Sequence, residues 1–365
     1  MIDTVKDSLC INKIVGSKNF NIAVQGDVVI PDTKPDILNA VNMTGNVCIY
    51  KKEILEGKIR IDGNVNIYLM YLADSESERI RGFNTSIDFT EILDFPGIES
   101  RMVLDEEVIV KDIECKVLNG RKVNFKAMLE VKANIFSNEK EEIVKEINNV
   151  DDIQTQVMLL KMNSLIGQNS TKAVAKETLI IDDTDGLEEI LNVEFNLMNR
   201  DTKMSYNKVL AKADIEVRIL YLTESGKIKT LEETIPLMGF IDVVGVSEEN
   251  ICDVSYKLKN IILKPNSKED HSINVEIEFE IFARVFENKE INIIQDMYSP
   301  SRNLNFKENK INTMVNMRNT EDIINIREKI KLEDIEYTKI CDVQVRTSIS
   351  ETNVTRDKIM MERRN

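Results

Sequence analysis

Seven small or apolar residues stand at every second position: Ile59, Ile61, Gly63, Val65, Ile67, Leu69 and Tyr71. They recur 150 residues later as Val209, Ala211, Ala213, Ile215, Val217, Ile219 and Tyr221. In the first run Lys58, Arg60, Asp62, Asn64 and Asn66 fill the gaps. A period of two held this long describes a β-strand with one buried face, because a helix would scatter the same residues around its axis. A chain that does this twice at a fixed interval is a repeat protein built from sheets.

Other segments keep the same interval. Val123, Phe125, Ala127, Leu129, Val131, Ala133 and Ile135 return as Ile273, Val275, Ile277, Phe279, Ile281, Ala283 and Val285. Before each lies a strand whose alternation slips. Val108 and Val110 give way to Ile113, Cys115 and Val117, and Tyr256 and Leu258 give way to Ile261 and Leu263, a pattern that predicts a β-bulge. Asn119-Gly120 predicts a tight type I′ hairpin in the first copy, where the second has a longer loop holding His271. Residues 11–30 align with 162–181 at a spacing of 151, and Ile37-Leu38-Asn39 is matched to Ile190-Leu191-Asn192.

A third copy begins at about the same interval. Arg327–Ile349 follows Lys176–Met198, with Ile340-Cys341-Asp342-Val343 against Ile190-Leu191-Asn192-Val193. The expected organisation is a first repeat at 1–150, a second at 151–311 and the start of a third at 312–365. A repeat stopping mid-sheet leaves unpaired edges, which predicts that the parent protein is longer. The fold class expected is all-β, with tandem sandwich-like modules of six to eight strands. Residues 150–165, joining the first two copies, are expected to include a short helix around Ile153, Val157 and Leu160.

Composition narrows the function. A net charge of −15 repels phosphate backbones and anionic lipid, so neither nucleic-acid binding nor membrane insertion is expected. Five cysteines, with no close pair, argue against a disulfide framework and a thiolate metal site. Cys48, Cys115 and Cys341 read as small buried hydrophobes. One histidine, His271, placed on a loop of one copy only, is a poor basis for a triad or a zinc site. No catalytic residue, metal site or cofactor is expected. Acid pairs such as Glu106-Glu107 and Glu141-Glu142 read as solvated edges. Residues 88–97 and 235–245 read as connections, the first placing Phe89, Ile92 and Phe95 on a core.

One polar cluster stands out, in Val28–Val41, VVIPDTKPDILNAV. Asp32, Lys34 and Asp36 form a candidate binding site in the first repeat. The bland reading is a stiff corner, with Pro35 and Asp36 opening a helical turn. The equivalent stretches of the other copies keep a strand end, an acidic gap and an apolar run, but have no counterpart of Pro31, Lys34 or Pro35, which favours the corner.

The stretches GDVVIPDTKPDILNAV, GKIRIDGNVNIYLMYLAD and IDFTEILDFPG resemble the SPOCS domain of endospore-forming bacteria, and the N-terminal segment is similar to SipL-like proteins. The resemblance covers nearly the whole chain and implies tandem SPOCS repeats followed by a LysM domain, which is missing here. It further implies a non-enzymatic protein of the mother-cell cytoplasm. Such a protein works in spore coat assembly at the forespore surface, with the coat basement-layer ATPase, stage IV sporulation protein A, or other coat proteins as partners. The alternative is a carbohydrate- or peptide-binding β-module. It needs outward aromatics, yet there is no Trp and Tyr71 and Tyr221 fall in the inward register.

Overall fold

The computed structural model describes residues 3–75, 79–149, 152–181, 185–266, 270–308, 310–311, 327, 329, 340, 343, 349–355 and 358–363. The first module comprises β1 (Asp3–Val29), β2 (Ile37–Leu55), β3 (Lys58–Ala73), β4 (Ile80–Asp94), β5 (Val103–Asn119) and β6 (Lys122–Asn148). The second comprises β7 (Gln154–Ile180), β8 (Leu187–Ser205), β9 (Lys208–Thr223), β10 (Ile228–Asp242), β11 (Ile251–Pro265) and β12 (Ser272–Tyr298). A short hairpin, β13 (Ile349–Val354) and β14 (Ile359–Arg363), follows, and no helix occurs among the described residues. Most of the expected third repeat, including Cys341, lies outside them.

Each module stacks two antiparallel three-stranded sheets. Their orders are β1-β6-β5 over β2-β3-β4, then β7-β12-β11 over β8-β9-β10. The alternating residues explain the architecture. Every member of the two Ile59–Tyr71 and Val123–Ile135 sets is buried, and the two sets meet as one core. Val209–Tyr221 and Ile273–Val285 do the same in the second module, except for Ala213. Ala213 is buried but belongs to no cluster. The expected bulges are present, between Val110 and Asp112 and between Leu258 and Asn260.

Several expectations fail for physical reasons. Residues 154–165 are strand, the start of β7, because they pair with the end of β12. No helical turn follows Pro35: Ile37 opens β2 directly, its amide bound to Gly120 O at 2.9 Å. The copies are related at this point by a slide of three residues from the sequence match, since Ala40 and Ile190 are the residues opposite Tyr71 and Tyr221. The β5–β6 loop is Gly120-Arg121 rather than Asn119-Gly120, and neither Asn119 nor Gly120 has positive φ. A Cβ at 120 would lie 2.7 Å from Asp36 Oδ2, so the carboxylate of Asp36 packs directly over the Gly120 backbone. Residues 88–94 and 235–242 belong to β4 and β10. Phe89 and Phe95 are buried, but Ile92 is 55% exposed, on the outer face of β4.

β1 and β6 continue past the end of β5 as a two-stranded ribbon, and β7 and β12 continue past β11 in the same way. The ribbons pack on each other through Leu9, Ile11 and Ile143 of the first and Met162 and Ile291 of the second. The Cys10 amide donates to Ser164 Oγ across this contact, at 3.3 Å.

Candidate interaction site at the seam between the modules

The modules meet along a seam, which holds most of the buried charge in the described residues. Glu106 stands in an inward register of β5, opposite Ala133, and its side chain is 3% exposed. It is a correction to the solvated-edge reading. Lys52 reaches it from β2 at 3.0 Å, and Lys257 reaches it from β11 of the other module at 3.0 Å. Lys257 also contacts Asp105 at 2.8 Å. Arg284 joins Asp105 of one module to Asp253 of the other, at 3.2 and 2.6 Å, with its guanidinium 4.2 Å over the Phe136 ring. Glu280 forms ion pairs with Lys259 at 3.2 Å and with Lys52 at 3.5 Å. Burial by itself would lower the Lys257 pKa, but Glu106 and Asp105 more than offset it and hold it above the ordinary lysine value. Burial would likewise raise Glu280, yet Lys52 and Lys259 keep it below the usual carboxylate value.

A second contact lies at the corner. Glu189 of β8 accepts Lys34 Nζ at 2.7 Å and the Gly82 amide at 2.5 Å, with Arg81 3.6 Å away. A Cβ on Gly82 would stand 2.7 Å from Ile190 O, so glycine permits the approach of β4 to β8. Alongside, Met70 packs with Leu191, Leu220 and Leu222, and Tyr68 joins the core of the second module. Thr44 is hydrogen-bonded to Asn192, and Asn46 donates to Val193 O at 3.2 Å.

The sequence-selected trio is divided by this geometry. Lys34 is spent on Glu189. Asp36 holds Arg121 at 2.6 Å, and Arg121 also donates to Pro31 O and Lys34 O at 3.1 and 2.7 Å, stapling the turn. Tyr71 OH donates to Pro35 O at 3.1 Å. Asp32 is exposed on the turn. The trio thus stands at a corner that joins the two modules rather than around a common pocket.

A cleft of about 810 Å³ opens at the seam. Its walls are the edge strands β2 and β5 of the first module and the inner faces of β8 and β11 of the second, including Phe195, Leu197, Val254 and Leu258. It enters the second module because β8 and β11 stand apart, whereas β2 and β5 lie close together. Its one tyrosine, Tyr256, donates its hydroxyl to Lys212 O at 2.9 Å. Glu107 and Arg200 mark its exposed rim. Burial pushes the Cys48 thiol up to about 12 and the Cys115 thiol to about 11, so both stay protonated near neutral pH.

Sequence reasoning missed the seam residues. The available signal was Glu106, a charge in an apolar register between Leu104 and Val108.

The topology repeats with its cores and diverges in its polar residues. Residues 36–118 and 187–266 each match the family model described as SipL, SPOCS domain. The chain carries two SPOCS domains. Each match runs from the start of the central meander into the strand that returns to the other sheet, β5 or β11. SPOCS domains place the chain among sporulation-related proteins. No curated protein and no solved structure matches it.

Proposed function

We propose that this SPOCS protein is a non-enzymatic scaffold of spore coat assembly, acting from the mother-cell cytoplasm at the forespore surface. Its partners would be coat proteins, foremost the basement-layer ATPase, stage IV sporulation protein A. The observation that carries the reading is the SPOCS match in both modules, joined to the divergence of their polar residues. A shared reaction requires shared chemical groups, whereas a scaffold needs only a stable frame and one good surface. The docking surface in this reading is the seam cleft: strand edges around a floor that includes Phe195, Leu197, Val254 and Leu258 suit an extended segment of a partner.

The test is deletion of the gene in its host, with electron microscopy of the spores. Misassembled coats and lowered lysozyme resistance are expected, and normal coats would sink the proposal. Complementation separates the surfaces. Asp32→Asn with Asp36→Asn should restore normal coats, while Glu107→Lys with Arg200→Glu at the cleft rim should weaken capture of stage IV sporulation protein A.

A further inference from the structure

Four strand edges wall the seam cleft, and one hydrogen bond distinguishes β8 from the rest. Asn46 Nδ2 of β2 donates to Val193 O of β8 at 3.2 Å, so that carbonyl points away from β9 and into the seam. In an antiparallel ladder the N–H and C=O of one residue point the same way, and successive residues alternate. The register of β8 on β9 is unbroken from Asn192 to Met198. The backbone groups of Phe195 and Leu197 therefore also point away from β9, and those of Glu194 and Asn196 point toward it. Among the described residues nothing else in the chain hydrogen-bonds this edge at Phe195 or Leu197. The Asn46 amide already makes the first rung that an added strand would make.

The other edges are less open. β2 and β5 close on each other where Gly45 meets Ile113. β11 is held against β5 by Lys257, and its ladder slips between Leu258 and Asn260. Charge also gives the β8 edge a polarity. Glu194 stands near the Asn46 end, and among the described residues its carboxylate accepts only Asn192 Nδ2, at 3.4 Å. Arg200 stands at the far end, 5.7 Å over the Tyr256 ring, with no ion pair among the described residues.

Resting on the reading of the cleft as the docking surface, we infer that β8 is its receiving strand. The occupant is an extended protein segment that adds to the β8-β9-β10 sheet through the backbone of Phe195 and Leu197. It carries apolar residues at every second position, facing the interior between β8 and β11, with a basic residue opposite Glu194 and an acidic one at Arg200. From Glu194 to Arg200 the edge spans roughly seven residues, about 20 Å. Backbone bonds supply the affinity, and the alternate side chains and the end charges supply the selectivity.

Hydrogen exchange on the full chain tests this, with a capped peptide of sequence DVTVTVK as the probe. Laid antiparallel to β8, its lysine meets Glu194, its aspartate meets Arg200, and its last two valines lie opposite Leu197 and Phe195. At saturation the Phe195 and Leu197 amides should exchange about tenfold more slowly, with Glu194 and Asn196 unchanged because β9 already holds them. N-methylation of those two valines should abolish binding, and N-methylation of the threonine between them should not. Arg200→Glu should weaken binding of DVTVTVK about tenfold and favour KVTVTVK instead. Protection spread evenly over residues 194–197, protection at Val254–Leu258 instead, or none at all would overturn the pairing. Capture of stage IV sporulation protein A without the alternation would leave the coat reading standing and sink the pairing. The alternation with the peptide, without that capture, would do the reverse.

Discussion

Where the first module has Gly45, the second has Phe195, and where the second has Gly239, the first has Glu91. Both positions face inward at a sandwich edge, opposite Ile67, Val217, Ile61 and Ala211. A Cβ on Gly45 would lie 2.6 Å from Ile113 Cδ1 and 2.9 Å from Asn66 O, so β5 has closed onto β2 through the missing side chain. Lys52 and Glu106 tie that edge, where the second module has Thr202 and Val254. In the second module the closed edge is the opposite one: a Cβ on Gly239 would meet Ile281 Cδ1 at 2.7 Å and Thr171 at 3.0 Å. One frame thus closes on different sides according to where a single glycine falls. The cleft is the open edge of the second module set against the closed edge of the first.

The largest expected effect breaks this asymmetry at its source. Gly45→Phe gives the first module the residue of the second and should cost about 3 kcal/mol in urea unfolding, since Asn66 O is backbone and cannot give way. Glu106→Ala removes the buried anion shared by Lys52 and Lys257, leaving Lys52 to Glu280 and Lys257 to Asp105, and should cost roughly 3 kcal/mol. Calorimetry should show one transition for the parent protein and two for this variant. Phe195→Ala removes a half-buried ring and should cost about 1–2 kcal/mol, while letting β8 and β11 draw together and slowing amide exchange there. Unchanged or faster exchange in β8 would show that Phe195 is not what holds the edge open.

The smallest effect is the response of the seam to pH. The Glu280 pKa is depressed, so its contribution is complete above its ordinary value of 4.5 and is lost as pH falls through the folded value. The Lys257 pKa is raised, so its contribution is complete below 10.5 and is lost as pH rises through the folded value. Module coupling, followed by small-angle scattering, should hold across the neutral range and loosen at both extremes.

The strands were legible because their signal is local. A period of two appears in any short window, and the bulges of β5 and β11 show as slips of parity within the same window. The false helix at 150–165 marks the limit of that method. Val157 and Leu160 suit either structure, and pairing with β12, more than 120 residues away, decides between them. The corner was legible as a corner, but its partner was not. Lys34 meets Glu189 only because Gly82 lets β4 approach β8, a distance that no local pattern encodes.

The sequence by itself determined the repeat, the inward faces of its strands and the SPOCS family, because each rests on residues read in order along the chain. Only the tertiary structure decided which edge of each sandwich closes, where the charges are buried and which residues form the seam. Those outcomes depend on close approaches between strands far apart in the chain, where one missing Cβ or one opposing charge sets the distance.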